Sequence, residues 1–166
     1  MEFNELYKER RSNRFYLDKE VKETDISLLL DAGMHAPVAR GRYEDIKLYC
    51  LKGERIKDLM NEIKKVSGMD PSFKAPLLIL VVHRGKNIDL INQDCGCILE
   101  NICLEAANLG LGSVYSYTVA RLIKSSDYLK EYLKIDGNSQ VLAGAFIGYK
   151  SSDVVSDVVH KIEVVY

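Results

Sequence analysis

Three arginines and a serine lie close together near the start of the chain, in the sequence RRSNR at residues 10–14. Arg10 and Arg14 are four residues apart, so they converge on one point if a helix continues or turns there. A guanidinium group presents a planar fork of donors that matches phosphate oxygens, and the Ser12 hydroxyl adds another donor. The segment is a candidate site for one phosphate group; the alternative is a solvated helix end whose cations favour the C-terminal dipole.

Two segments of small residues could let a ligand approach the backbone. The sequence GLGS at residues 110–113 resembles the start of a dinucleotide fingerprint, but it lacks the third glycine and follows a helix instead of opening one. We interpret it as a helix cap that lets the backbone approach a flat ligand or a neighbouring element. The loop APVARG at residues 36–41 leaves room for a ring system, or it is simply a connection.

The remaining reactive side chains follow no known catalytic pattern. The three histidines are scattered, and the chain has no nucleophile elbow, zinc-protease motif or Walker lysine, although sequence distance does not exclude a hydrolase triad. Asp94 is interpreted as a satisfied helix carboxylate, which is favoured over an acid catalyst. The cysteines have no zinc spacing and are expected to be free thiols in a reducing cytosol. They are Cys50, Cys95, Cys97 and Cys103.

Length and composition predict one globular domain over residues 1–166. The chain has 47% hydrophobic and 28% charged residues, which are values typical of a folded core. A net charge of −1 argues against a protein that coats nucleic acid and against a polyanion mimic. No apolar stretch reaches the length of about 18–20 residues that spans a membrane, and the polar N-terminus predicts a cytoplasmic protein.

Hydrophobic periodicity predicts helices and strands in irregular order, and hence an α+β fold. The run LLILVV after Ala75-Pro76 predicts a central strand that is buried on both faces. The last residues, IEVVY, read as a strand with no following turn, so they need a partner edge. The predicted helices cover residues 3–11, 24–36, 54–66, 87–109 and 120–133, the last one interrupted near Ser125-Ser126. The predicted strands cover residues 45–51, 77–82, 111–117, 141–149 and 162–166.

Taken in order, these segments resemble the nitroreductase family of FMN-dependent oxidoreductases. The RRSNR motif is similar to the family's Arg-Arg-Ser-x-Arg, and residues 94–113 are similar to its core helix and glycine turn. These two stretches are the specific part of the resemblance. Supporting similarity comes from the Ala-Gly-x-x-Ala-Pro-x-Ala helix end, the Ala-Pro-aliphatic strand, the Gly-Tyr strand and the basic C-terminal segment at residues 32–39, 75–82, 146–149 and 160–166.

The resemblance implies a three-layer α+β fold, with a central mixed or antiparallel sheet flanked by helices. It also implies a homodimer with FMN at the interface and a C-terminal strand exchanged with the partner. The implied activity is ping-pong hydride transfer from NAD(P)H through the flavin to a nitroaromatic, a quinone or a similar acceptor. The cofactor carries this chemistry, so no side chain is expected to be catalytic and no metal is expected.

The resemblance also assigns cofactor-binding residues. The arginine motif and Lys161 are expected at the phosphate, the loop after the second helix along the flavin, and Ser116 facing the ring; the loop is expected to come from the partner subunit. The full expected set is Arg10, Arg11, Ser12, Arg14, Pro37, Val38, Ala39, Arg40, Gly41, Ser116 and Lys161.

The loop departs from the family's usual Ser-Ala-x-Asn-x-Gln, because residues 38–42 read VARGR. The flavin hydrogen bonds normally made by that serine and asparagine are missing, and the two arginines could contact the phosphate, the ribityl chain or an anionic reduced flavin. Two alternatives stay open. One is a non-catalytic or degraded flavin-binding member, and the other is a thiol or metal protein built on Cys95, Cys97 and Cys103.

Overall fold

The computed structural model describes residues 2–152 and 162–165. Within them, four β-strands form one sheet: β1 (Ile46–Lys52), β2 (Leu77–His83), β3 (Leu111–Ser116) and β4 (Gln140–Tyr149). The strand order is β1-β2-β4-β3, and every neighbouring pair is antiparallel. The predicted α+β fold with a central antiparallel sheet is therefore confirmed.

The described residues also form six α-helices: α1 (Phe3–Glu9), α2 (Glu23–Met34), α3 (Glu54–Ser67), α4 (Ile88–Asn108), α5 (Tyr117–Lys124) and α6 (Asp127–Tyr132). In this part of the chain, none of the helices combines the length and the apolar character needed to cross a bilayer.

Two apolar cores cover the opposite faces of the sheet, which makes the three layers. Alternate residues of β2 point to opposite sides, as the pleat of a strand requires. Leu77, Ile79 and Val81 pack with α2 and α4, whereas the even-numbered residues of β2 pack with α3, α5 and α6. Every residue of β2 is buried, so the prediction of a central strand buried on both faces is confirmed.

The predicted boundaries of the core helix agree with its caps. The Asn87 side chain accepts a hydrogen bond from the Leu90 amide at 3.3 Å, which satisfies one of the unpaired donors at the start of α4. At the other end, Gly110 adopts the left-handed conformation with φ 72°, which glycine reaches without strain. Local side-chain and backbone chemistry therefore sets both ends of α4.

The predicted helix over residues 120–133 is wrong in its starting point. The structure begins α5 three residues earlier, because the Ser116 side chain accepts a hydrogen bond from the Val119 amide at 3.4 Å and caps the helix. The predicted interruption at Ser125-Ser126 is confirmed, since Ser126 caps α6 by accepting from the Leu129 amide at 3.3 Å.

The C-terminal strand stays a prediction. Residues 162–165 form neither helix nor strand, and Ile162 and Val165 are 83% and 85% exposed. Lys161 and Tyr166 lie outside the described residues. Apolar side chains this exposed have no partner among the described residues of the same chain, which is consistent with a segment that pairs elsewhere.

Candidate functional site

The arginine segment at residues 10–14 lies along the outer edge of β3, the edge that does not pair with β4. Ser12 forms a parallel β-bridge with Ser113, and the Asn13 amide donates to the Ser113 carbonyl at 2.9 Å. The helix does not continue through the segment, because α1 ends at Glu9 and Arg10 has φ −58° and ψ 119°. The predicted helix over residues 3–11 therefore ends two residues early, and a continuing helix does not bring Arg10 and Arg14 together.

The side chains of residues 12–14 alternate between exposed and buried, as in an extended segment and not as in a helix. Asn13 is 2% exposed, and its side chain accepts from the Phe15 amide at 2.9 Å and donates to the Ser152 carbonyl at 3.3 Å. Its neighbours Ser12 and Arg14 are exposed. Because successive residues of an extended segment point to opposite sides, a buried Asn13 directs Ser12 and Arg14 toward solvent.

The three guanidinium groups have different protein partners. Arg10 Nε lies 3.5 Å from Oε1 of Glu100 on α4. Arg11 Nη1 donates to the Arg10 carbonyl at 3.0 Å. The Arg14 guanidinium lies 5.8 Å from the centre of the Phe73 ring, within the range of a cation–π contact. The structure thus brings the four predicted side chains to one sheet edge, where Arg10 also reaches the core helix.

The glycine turn allows this close packing. A Cβ on Gly112 would come within 2.9 Å of the Asn13 Cβ and of the Lys150 Cγ, which is too close for any real pair of carbons. Gly112 therefore lets residue 13 lie directly against β3. Together with Gly110 as the helix cap, this supports the interpretation of the GLGS motif as a cap and a point of close approach, here to a neighbouring element.

The loop of small residues is held against α4. Ala39–Gly41 forms a short 3₁₀ turn, and the Ala39 amide donates to Oδ1 of Asp94 at 2.8 Å. Arg40 adopts φ 59°, a left-handed conformation that costs a non-glycine residue about 1–2 kcal/mol. The Arg40 side chain is exposed. The predicted loop is therefore a strained turn with a defined anchor, and not simply a connection.

A buried pair of polar side chains lies behind this loop. Asp94 is 5% exposed and His83 is 4% exposed. His83 Nε2 lies 3.6 Å from Asp94 Oδ2. The interpretation of Asp94 as a satisfied helix carboxylate agrees with its bond to the Ala39 amide, but it identified neither the loop nor His83 as a partner. The sequence carried one signal, since Asp94 follows the buried Ile91 by three residues and therefore falls on the buried face of α4. Nothing in the sequence indicates His83.

Ser116 is placed where β3 becomes α5. Its hydroxyl caps α5, and the residue is 8% exposed. The neighbouring Tyr115 and Tyr117 are 47% and 55% exposed. The contact of Ser116 with a flavin ring therefore stays a prediction. The side chains exposed to solvent here are those of Tyr115 and Tyr117. Lys161, the last expected phosphate ligand, lies outside the described residues.

Cys95 and Cys103 are buried thiols, which does not favour a reactive cysteine at either position. Burial raises the pKa of Cys95 to about 12, despite its hydrogen bond with Tyr115, and burial also raises the pKa of Cys103. A thiol with a raised pKa is a poor nucleophile at neutral pH. Over residues 2–152 and 162–165, no group of three His, Cys, Asp or Glu side chains could hold a metal ion.

Comparisons with known proteins identify the family to which the chain is similar. The family model described as the nitroreductase family matches residues 7–149. A protein of Archaeoglobus fulgidus, named provisionally as an NADH dehydrogenase/NAD(P)H nitroreductase, is 30% identical over 146 residues, which cover 87% of this chain and 83% of that protein.

Solved structures show the same fold. A nitroreductase with bound FMN from Bacteroides fragilis superimposes with a TM-score of 0.88 at 23% identity, covering 100% of both chains. An FMN-dependent nitroreductase from Clostridium difficile R20291 superimposes with a TM-score of 0.75 at 26% identity, covering 92% of this chain and 91% of that chain. The chain belongs to the nitroreductase family.

Proposed function

We propose that residues 1–166 form one FMN-binding domain of an oxidoreductase, and that the chain transfers hydride from NAD(P)H to a small organic acceptor. The observation that carries the proposal is the group of exposed hydrogen-bond donors in the arginine segment alongside β3. Ser12 and Arg14 are exposed there, and Arg10 extends the positive charge toward α4. This is the donor chemistry that a phosphate monoester requires.

Other positions in the chain leave room for a flat cofactor. Gly96 lies inside α4, where glycine is less favourable than alanine by about 1 kcal/mol, and a Cβ at this position would meet nothing within 4 Å. Gly41 in the loop is equally open. Asp94, two residues before Gly96, holds the loop in place. Open space therefore lies on α4 and on the loop that the family resemblance places along the flavin.

Bound FMN would supply the redox chemistry, taking hydride from NAD(P)H and passing it to a nitroaromatic, quinone or similar acceptor in a ping-pong reaction. The protein residues bind and orient. Arg10, Arg11, Ser12 and Arg14 would hold the phosphate, with Lys161 beside them. Residues 37–41 would cover the ring, and the exposed Arg40 would place positive charge near the anionic form of the reduced cofactor.

We further propose that two copies of the chain form a homodimer in which residues 162–166 add a strand to the partner's sheet. Large apolar side chains are exposed at both ends of the chain: Phe3 is 69% exposed, Phe15 is 62% exposed and Val165 is 85% exposed. β1 ends the sheet on one side and has a free edge among the described residues. Such surface and such an edge are normally covered in a native protein.

An absorption spectrum of the purified protein tests the proposal. The expected result is a yellow protein whose chromophore, once released, has the mass of FMN and which bleaches anaerobically on addition of NADH or NADPH. Light scattering after size exclusion should give the mass of two chains. A colourless monomer that ignores added FMN would overturn the proposal.

One alternative function has a specific observation in its favour. The loop has Val38 and Gly41 where the family usually has polar side chains, so fewer side chains can orient the flavin. A non-catalytic flavin-binding protein would bind FMN but would not bleach with either nicotinamide. The anaerobic bleaching experiment therefore separates the two functions.

A further inference from the structure

We propose that Asp94 is a positioning residue, backed by His83, that sets the shape of the loop at residues 38–41 and thereby the affinity for FMN. This proposal rests on the proposed function, because it assigns the loop to the flavin. The proposal gives Asp94 and His83 the role of holding the loop, which neither the arginine motif nor the glycine turn fulfils.

The bond between Asp94 and the loop joins distant parts of the chain. The Asp94 carboxylate lies in the second turn of α4 and accepts the Ala39 amide at 2.8 Å, across 55 residues of sequence. Both groups are shielded from water, since Asp94 is 5% exposed and Ala39 is half-buried. A charged acceptor with a buried donor forms a strong hydrogen bond, and removing either partner leaves the other without a substitute.

His83 supports the carboxylate from its other side. The Gly85 amide donates to His83 Nδ1 at 2.7 Å, which assigns the ring proton to Nε2. Nε2 lies 3.6 Å from Asp94 Oδ2 and has no hydrogen-bond partner among the described residues. The N–H group therefore faces the negative oxygen and stabilises it through charge–dipole attraction.

Gly85, two residues after His83, makes this orientation possible. A Cβ on Gly85 would come within 2.8 Å of the His83 Cε1 and 2.9 Å of its Nδ1. Only a residue without a side chain lets the backbone fold around the imidazole and donate to it. The ring is therefore held in one orientation by its own strand end, with Nε2 toward α4.

The loop needs such an anchor because its turn is strained. Arg40, directly after Ala39, has φ 59°, and Gly41 has φ 63°. Beyond the strained turn, Arg42 pairs with Asp45 at 2.6 Å, so that end of the loop is fixed independently. The Asp94 bond attaches the strained turn to α4 by a hydrogen bond, beside the packing of Val38 on the apolar core. Without it, Arg40 can relax to an ordinary conformation and change the surface that would face the ring.

Hydrogen exchange and FMN titration test the proposal together. In Asp94→Ala without FMN, we expect the amides of residues 39–41 to exchange faster, and we expect the Kd for FMN to rise about tenfold to a hundredfold, the scale of a lost hydrogen bond to a charged group. In Asp94→Asn the amide oxygen still accepts the Ala39 N–H, but the amide NH2 group then meets the His83 N–H where the wild type has a negative oxygen, so only part of the affinity should return. Asp89→Asn removes the same charge from the exposed first turn of α4 and should change neither quantity.

A second variant keeps the test valid if Asp94→Ala does not fold. Ala39→Pro removes the donor instead of the acceptor, and the position suits proline because it opens a 3₁₀ turn and follows the extended Val38, at φ −127° and ψ 135°. It should raise the Kd for FMN by a similar factor. If Asp94 acts through this bond, Ala39→Pro combined with Asp94→Asn should bind FMN no more weakly than Ala39→Pro alone.

The outcomes separate this proposal from the proposed function. If the wild-type chain binds no FMN, the proposed function fails, and so does the role assigned to Asp94 in flavin affinity. Unchanged exchange of the loop amides in Asp94→Ala overturns the anchor itself. Faster exchange with an unchanged Kd and an unchanged flavin spectrum also overturns the proposal, because the bond would then be merely structural.

Discussion

The Arg10 guanidinium lies 3.5 Å from the Glu100 carboxylate, measured from Nε to Oε1, so the first arginine of the proposed phosphate site already has an anionic partner on the core helix. Glu100 is 57% exposed in its side chain, and Arg10 is 30% exposed. A phosphate group bound to Arg10 would share the cation with Glu100 and would be repelled by its charge.

Glu100→Gln should therefore strengthen FMN binding. Because exposed ion pairs contribute about 0.2–1 kcal/mol, the Kd for FMN should fall by about fivefold at most. Fluorescence titration of the FMN-free protein measures this change. Glu105→Gln, which alters the same charge five residues farther along α4, serves as the matched control. Weaker binding in Glu100→Gln would instead mean that the carboxylate orients Arg10 toward the phosphate.

Arg14→Ala should weaken FMN binding by about 1–3 kcal/mol, the scale of a lost charge-assisted hydrogen bond. The exposed guanidinium lies against the Phe73 ring and is free of ion pairs among the described residues, so its loss leaves no buried group unsatisfied. Thermal unfolding of the FMN-free protein should change little. Arg121→Ala removes the same charge from α5 and should leave the Kd for FMN as it is. An unaltered Kd in Arg14→Ala would contradict the assigned phosphate site.

Gly112→Ala should separate the arginine segment from β3. The new methyl group would lie 2.9 Å from Asn13 Cβ, so the segment must move or the strand must bend, at a cost of about 1–3 kcal/mol in the free energy of unfolding. Chemical denaturation measures this loss, and FMN titration should show weaker binding in the folded protein. Gly137→Ala is the control, since a Cβ there would meet nothing within 4 Å. Equal stability of the two variants would show that the close approach is unimportant.

The free energy of unfolding should fall at high pH because the Cys95 thiol ionises more easily in the unfolded chain. Burial raises its pKa from 9.0 to about 12 in the folded chain. The folded state therefore keeps the thiol protonated while the unfolded chain ionises, so the stabilisation is complete below pH 9 and is lost as the pH rises toward about 12. Denaturation curves measured across this interval should show a falling free energy of unfolding, and Cys95→Ala should reduce the slope. An unchanged slope in that variant would contradict the assignment to Cys95.

Much of the fold is determined by local sequence. The six aliphatic residues after Pro76 favour a strand that is covered on both sides, because no face of such a strand can meet water without cost. Asn87 and Gly110 mark the ends of α4 because capping is chemistry between near neighbours. The same holds for the break at Ser125-Ser126. The arginine motif and the glycine turn were likewise visible as candidates, because their residue types are unusual at that spacing.

The relationship between those candidates was decided only by the tertiary structure. Pairing of Ser12 with Ser113 places the arginine segment on β3, and a bond across 55 residues attaches Ala39 to Asp94. Neither contact leaves a periodic signal, since hydrogen bonds between distant segments depend on how whole helices and strands pack. His83 shows this most clearly: as a sequence letter it ends an aliphatic strand, and only the fold turns its ring toward a buried carboxylate.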